Sequence, residues 1–173
     1  LTSLFFIALS TAFSQNMDFE AYDPPSTLVV KETRLTKARY PFIDIHNHQF
    51  NMPSQNLANL TAEMDKLNMA VMVNLSGRGR GSTEHLEGSL KNVKENFPKR
   101  FVVFTNMDFS AIDDAEWQSR MLRQLEEDVK KGAQGLKIYK NLGMTAKDSK
   151  GNRIRIDDPR IDPIWAKCGE LGI

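Results

Sequence analysis

Disulfides are the first thing this chain lacks. Its single cysteine, Cys168, excludes an internal crosslink, so stability has to come from a packed core. A charge surplus is missing as well. Lys and Arg number 23 against 22 Asp and Glu, a net charge of +1, which lacks the basic excess that nucleic-acid or other polyanion binding needs. Beyond the first fifteen residues no run is long and apolar enough to cross a bilayer. Internal repeats, low-complexity tracts and the G-x-G-x-x-G nucleotide fingerprint are absent too. With 40% hydrophobic and 26% charged residues the composition is that of an ordinary globular enzyme. Histidine is scarce, with three in the whole chain, and this makes their placement informative.

Two of the three fall in one stretch, FIDIHNHQF, from Phe42 to Phe50. Read as a strand, it puts Phe42, Asp44, His46 and His48 on one face and Ile43, Ile45, Asn47 and Gln49 on the other, because strand side chains alternate. The isoleucines are expected to pack under covering helices while the acid and imidazoles face a site. Two imidazoles at i and i+2 reach one metal ion, and a strand holds both rings with little freedom left to lose. Asp44 would lie one layer deeper, able to orient an imidazole.

This stretch closely resembles the first-strand signature of the amidohydrolase superfamily, in particular its amidohydrolase-related (amidohydrolase 2) branch. The resemblance implies a (β/α)₈ barrel and a catalytic divalent ion, Zn²⁺ first and Mn²⁺ or Fe²⁺ as alternatives, one or two per full-length chain. It implies a metal-activated water attacking an amide, ester or lactone of a small molecule. Further His ligands from a fifth and sixth strand, and an Asp proton acceptor from an eighth, would lie beyond Ile173.

Residues 1–14 carry an apolar run from Leu4 to Phe13 followed by Ser14, the pattern of a signal-peptide core and its cleavage site, with a mature start near Gln15. Ten apolar residues are too few to span a membrane, so the expectation is export to the periplasm or beyond, with no membrane partner after cleavage. The initiating Met and basic start of such a signal are missing. Residues 15–41 read as a polar arm, turned at Pro24-Pro25, with a short extended piece at Leu28–Val30 and a role in closing the barrel bottom.

From Phe42 onward the pattern alternates strand and helix. Leu57, Leu60, Met64 and Leu67 recur at helical spacing over 54–68, and 69–75 is a strand-length apolar run. The pattern repeats with a helix over 82–97 and a strand over 101–107, then a helix over 113–131 and a strand over 135–140. Asp158 as N-cap with Pro159 after it opens a fourth helix that Gly172 closes. Four β/α units at about thirty-residue spacing predict an α/β fold, residues 42–173 being the first half of a TIM-type (β/α)₈ barrel that stops before a fifth strand. The alternative is a small doubly wound domain of flavodoxin type with the His pair on a central strand.

The last of these strands adds Lys137 and Tyr139 in GLKIYKNLG. A lysine inside a barrel is costly unless paired, and burial favours its neutral amine, which can take up CO₂. The segment resembles the dihydroorotase-like pattern of Lys followed by an aromatic, which implies that a carbamylated Lys137 would be a third metal ligand. The other reading pairs Lys137 with Asp44 or Asp108, or with substrate. Tyr139 reads as wall. The loop GRGRGST, residues 77–83, has two Arg able to hold a substrate carboxylate, but a flexible solvated loop is the favoured reading, because Gly and Arg are both common on mobile surfaces. His85 reads as surface. Asn74, Asn106 and Asp108 end strands and are candidates to support His46 or His48. The 141–157 segment reads as a solvated excursion.

The function expected is that of a metal-dependent hydrolase with a small-molecule substrate, no nucleic-acid partner, and homo-oligomers when full length. A lyase on the same scaffold, decarboxylating or hydrating acids, is one alternative. A non-catalytic exported binding protein with a vestigial H-x-H is another.

Overall fold

A computed structural model describes residues 18 and 20–173, and the segment read as an export signal lies outside them. The chain divides into Leu1–Arg34 and Leu35–Ile173. In the first unit the described residues form neither helix nor strand, and Leu28, Val29 and Val30 are exposed. The extended piece expected there therefore joins no sheet. In the second unit it is Ala38 that ties down the amino ends of the strands. Its N–H donates to the Leu67 carbonyl and its own carbonyl accepts from Asn68 Nδ2, both at 3.1 Å.

Among the described residues five strands and four helices follow in the order β1 (Phe42–Asn47), α1 (Leu57–Leu67), β2 (Met69–Asn74), α2 (Thr83–Asn96), β3 (Phe101–Val103), β4 (Thr105–Asn106), α3 (Trp117–Lys131), β5 (Leu136–Lys137) and α4 (Asp162–Leu171). Every strand pairing is parallel: β2 lies between β1 and β3, and β4 pairs with β5. The strand expected over 101–107 is thus two short pieces split at Phe104, whose N–H donates to the Asn74 carbonyl and whose carbonyl accepts from Gly77 N–H. Its first half pairs back to β2 and its second half forward to β5. Pairing therefore follows chain order.

α1 packs on β2 and α2, α2 on β3 and α3, and α3 on β4 and α4. Helices that touch their sequence neighbours lie side by side on one face of the strands, because successive right-handed crossovers in one direction deposit them there. The His pair stands at the end of edge strand β1, which a doubly wound order would have placed centrally. Among the described residues no helix is long and apolar enough to cross a membrane.

The chain ends each element for local reasons. Asn56 caps α1 by accepting from Asn59 N–H, and Ser82 caps α2 by accepting from His85 N–H. Asn68, Gly132 and Gly172 close α1, α3 and α4 at positive φ. α4 begins three residues later than Asp158 suggests. The Asp158 carboxylate accepts from Arg160 Nε at 2.9 Å and Nη2 at 2.6 Å, so it serves a turn and Pro163 opens the helix.

Two apolar clusters sit beneath the helices. Met52, Leu57, Met64, Met72, Leu86, Val93, Phe101 and Val103 join β2 and β3 to α1 and α2. Met107, Phe109, Trp117, Leu125, Leu142, Ile154, Ile161 and Ile164 join α3 and α4 to the 141–157 segment. That segment is therefore anchored by Leu142 and Ile154, and folded back through an antiparallel bridge between Lys147 and Arg153, where solvation alone was expected. Cys168 sits half-buried in α4, and burial raises its thiol above the ordinary range.

The isoleucines of β1 depart from expectation: Ile43 is 55% exposed and Ile45 74% exposed, with no helix over them among the described residues. β1 is an edge strand, so one side of it is open.

Candidate functional site

His46 and His48 do come together. Their ring centroids are 5.2 Å apart in an edge-on arrangement. Two imidazoles sharing one tetrahedral ion, each centroid roughly 3.2 Å from it, would be separated by about 5 Å. The observed separation matches that spacing.

Asp44 has a different place from the one simple alternation assigns. Asp44 lies opposite Met72 and Asn47 opposite Asn74, so β1 takes three steps where β2 takes two. The extra residue is a bulge, which shifts the phase of alternation by one. Asp44 and Asn47 consequently share a face, and Asn47 Nδ2 donates to Asp44 Oδ2 at 2.8 Å. The other Asp44 oxygen accepts from the His46 backbone N–H at 3.0 Å. Its work is to hold the bulge that presents the two imidazoles; it touches neither ring.

The ring of His48 is oriented by Ser76, a buried residue just past β2 that the strand-end reading missed. His48 Nδ1 and Ser76 Oγ are 2.7 Å apart, and Ser76 Oγ is 3.0 Å from the Tyr139 hydroxyl, which also faces the Leu75 carbonyl at 3.5 Å. A consistent proton order runs from His48 Nδ1–H to Ser76, from Ser76 to Tyr139, and from Tyr139 to the carbonyl. This leaves the His48 Nε2 lone pair free for an ion, the arrangement that metal-binding histidines need. Period-two counting from Asn74 would have marked Ser76. Phe50 and Tyr139 stack on the ring at 5.8 Å and 6.1 Å.

His48 is largely exposed, and the partial desolvation its ring does undergo holds the imidazole below the ordinary range, with the charges of His46 and then Lys137 adding to the effect. The shift favours the neutral ring, which is the form a metal takes. It also puts Lys137 within electrostatic reach of the pair. Lys137 is half-buried and has no carboxylate within ion-pair distance among the described residues, so the expected pairing with Asp44 or Asp108 is not made. Among those residues no three His, Cys, Asp or Glu side chains converge on one point.

The strand-end residues expected to support the imidazoles act on backbone. Asn74 Oδ1 accepts from Gln49 and Ser76 N–H, each at 3.0 Å, fixing the chain just after His48 and at Ser76. Asn106 accepts from Arg78 N–H and donates to the Leu75 carbonyl at 2.8 Å. Asp108 turns to its own loop, accepting from Ser110 N–H and Oγ–H.

The 77–83 loop is not the mobile surface its composition suggests. Arg78 is 6% exposed and makes a forked pair with the fully buried Asp128 of α3, Nε to Oδ2 at 2.8 Å and Nη2 to Oδ1 at 3.2 Å. Its remaining donors reach the Gly81 carbonyl and the Thr83 hydroxyl. Arg78 thus locks the loop and is unavailable to a substrate. His85 also leaves its expected surface role. Its Nδ1 lies 2.8 Å from the Gly77 carbonyl and its Nε2 2.8 Å from the Phe50 carbonyl, tying together the loops that follow β1 and β2. Compared with family models, curated proteins and solved structures, the chain matches none.

Proposed function

We propose that the chain is the amino-terminal half of a (β/α)₈ metal-dependent hydrolase acting on an amide, ester or lactone of a small molecule, with His46 and His48 as ligands to a divalent ion, Zn²⁺ first. The observation that carries the reading is the pair of imidazoles 5.2 Å apart, with Ser76 taking the inner nitrogen of one. Parallel strands paired in chain order, with the helices on one face, support the barrel part. So do the uncovered edge and exposed isoleucines of β1. Export is carried by the Leu4–Phe13 run alone.

A divalent ion held there supplies Lewis acidity, polarising a carbonyl and lowering the pKa of water. The chain's own residues do the holding. Asp44 keeps the bulge, Asn74 fixes the backbone after His48, and Ser76 sets the tautomer and rotation of the ring. Tyr139 anchors Ser76 and walls the site.

Zinc titration by calorimetry tests the reading. The wild-type chain is expected to bind Zn²⁺, and Ser76→Ala to weaken binding by about tenfold or more, the usual cost of losing the partner of a ligating histidine. A wild-type chain without measurable zinc affinity sinks the metal site.

Lys137 has two roles left, a carbamylated third ligand or a cation facing substrate. Carbamylation predicts a mass gain of one CO₂ in native mass spectrometry. It also predicts recovery of zinc stoichiometry in Lys137→Ala on adding acetate. Unmodified mass with no acetate effect leaves Lys137 as a cation at the site.

A further inference from the structure

A cavity of about 490 Å³ is lined by Arg80, Asn106, Asp108, Gln124, Tyr139 and Asn141 among others. It lies at the carboxyl ends of β2 and β4 and beyond β5, so it shares the strand ends on which His46 and His48 stand. Tyr139 belongs to both places: it walls the cavity and stacks on His48 with centroids 6.1 Å apart. We infer that this cavity is a carboxylate-binding subsite anchored by Arg80, and that the substrate carries a carboxylate in addition to the carbonyl presented to His46 and His48. The inference rests on that pair being the reacting site.

The charges in the wall single out Arg80. Arg78 is consumed by Asp128, and Asp108, the carboxylate in the wall, has both oxygens engaged by Ser110. Arg80 is exposed and has no carboxylate within 4.0 Å among the described residues. Gln124 spends its amide N–H₂ on the Asn106 carbonyl, which leaves the guanidinium as the strong free donor.

Arg80 is also presented from a fixed frame. It sits between Gly79 at φ 56° and Gly81 at φ 110°. The two turns around it close through Gly79 N–H to Ser76 O at 2.9 Å and Gly81 N–H to Arg78 O at 2.8 Å. A Cβ on Gly79 would meet the His85 ring at 2.9 Å and φ there is positive, so the turn requires glycine at that position. With Arg78 locked to α3 and His85 bonded to Gly77, the loop loses little entropy when Arg80 binds an anion, which is the condition for a useful forked contact. A cavity of this size suits a small ligand.

The probe pair is hippurate, which has a carboxylate, and hippuramide, its neutral amide, titrated into the full chain and followed by NMR of the Arg80 and Tyr139 side chains. Hippurate is expected to bind about tenfold more tightly than hippuramide, the lower end for a charged hydrogen bond because Arg80 is exposed. Arg80→Gln should remove that preference and Arg80→Lys should keep part of it; Arg80 is at the surface, so neither change disturbs folding. The same preference should persist in EDTA and in His46→Ala/His48→Ala. Equal affinity for the two probes, a preference unchanged in Arg80→Gln, or a preference lost only with the imidazoles would overturn the subsite. Hippurate preference in a chain that binds no zinc would leave the subsite standing and remove the metal reading instead.

Discussion

His46→Ala/His48→Ala is expected to lose at least about a hundredfold in zinc affinity, because removing a mere partner of a ligand already costs 10–100-fold. Each single substitution should cost nearly as much as the pair. One imidazole leaves an ion mostly hydrated, and the second ring supplies the chelate that holds it. The frame around the rings should survive the change, since Asp44 holds the backbone of residue 46 and Asn74 the backbone of residue 49. Both histidines are exposed, so the far-ultraviolet circular dichroism and melting temperature should stay near wild type. Chelator-competition titration alongside a thermal melt is the measurement. Wild-type affinity in the double variant would put the ion elsewhere, and a collapsed melt would mean that the rings are structural.

What was legible in the sequence was local. Helical spacing marked α1 and α2 because i, i+3 and i+4 contacts are local, and Gly172 signalled an end because positive φ favours glycine, whereas the cap read at Asp158 is taken by a turn to Arg160. The H-x-H pair was legible because period two places neighbouring rings together regardless of what surrounds the strand. Asp44 was misplaced for the same reason: period two holds only until a bulge, and the bulge is defined by pairing with Met72 and Asn74, far along the chain. The Phe104 break depends on Asn74 and Gly77 in β2 and the loop after it. Arg78 looked like loop surface because its partner, Asp128, lies 50 residues away on α3, where it reads as one more charge on an amphipathic helix. Ser76 and His85 act through hydrogen bonds across loops, and although period-two counting from Asn74 reaches Ser76, nothing in the spacing names the partners of either.

Asp128→Ala is expected to be the single change most damaging to stability. It leaves the Arg78 guanidinium, 6% exposed, without its counter-charge and takes away the acceptor of the Thr105 hydroxyl as well. Truncating one partner of a buried ion pair costs about 3–5 kcal/mol. At this chain length that lowers the melting temperature by roughly 6–20 °C. The cost comes from the stranded charge more than from the lost attraction, and this can be separated experimentally. Arg78→Met/Thr105→Val/Asp128→Leu removes charge and hydroxyl together and fills similar volume, so it should recover most of the loss. The two variants should also differ at the site. Arg78 follows Ser76 by two residues, so a loop pushed outward by an unpaired guanidinium would carry Ser76 away from His48 and weaken zinc binding, while the triple variant, with its loop still closed by Gly77 N–H on Phe104 O, should bind zinc normally. Urea melts and zinc titrations on the pair decide it. A loss below about 1 kcal/mol in Asp128→Ala would mean that Arg78 swings to solvent and that the 77–83 loop is as mobile as its glycines first suggest.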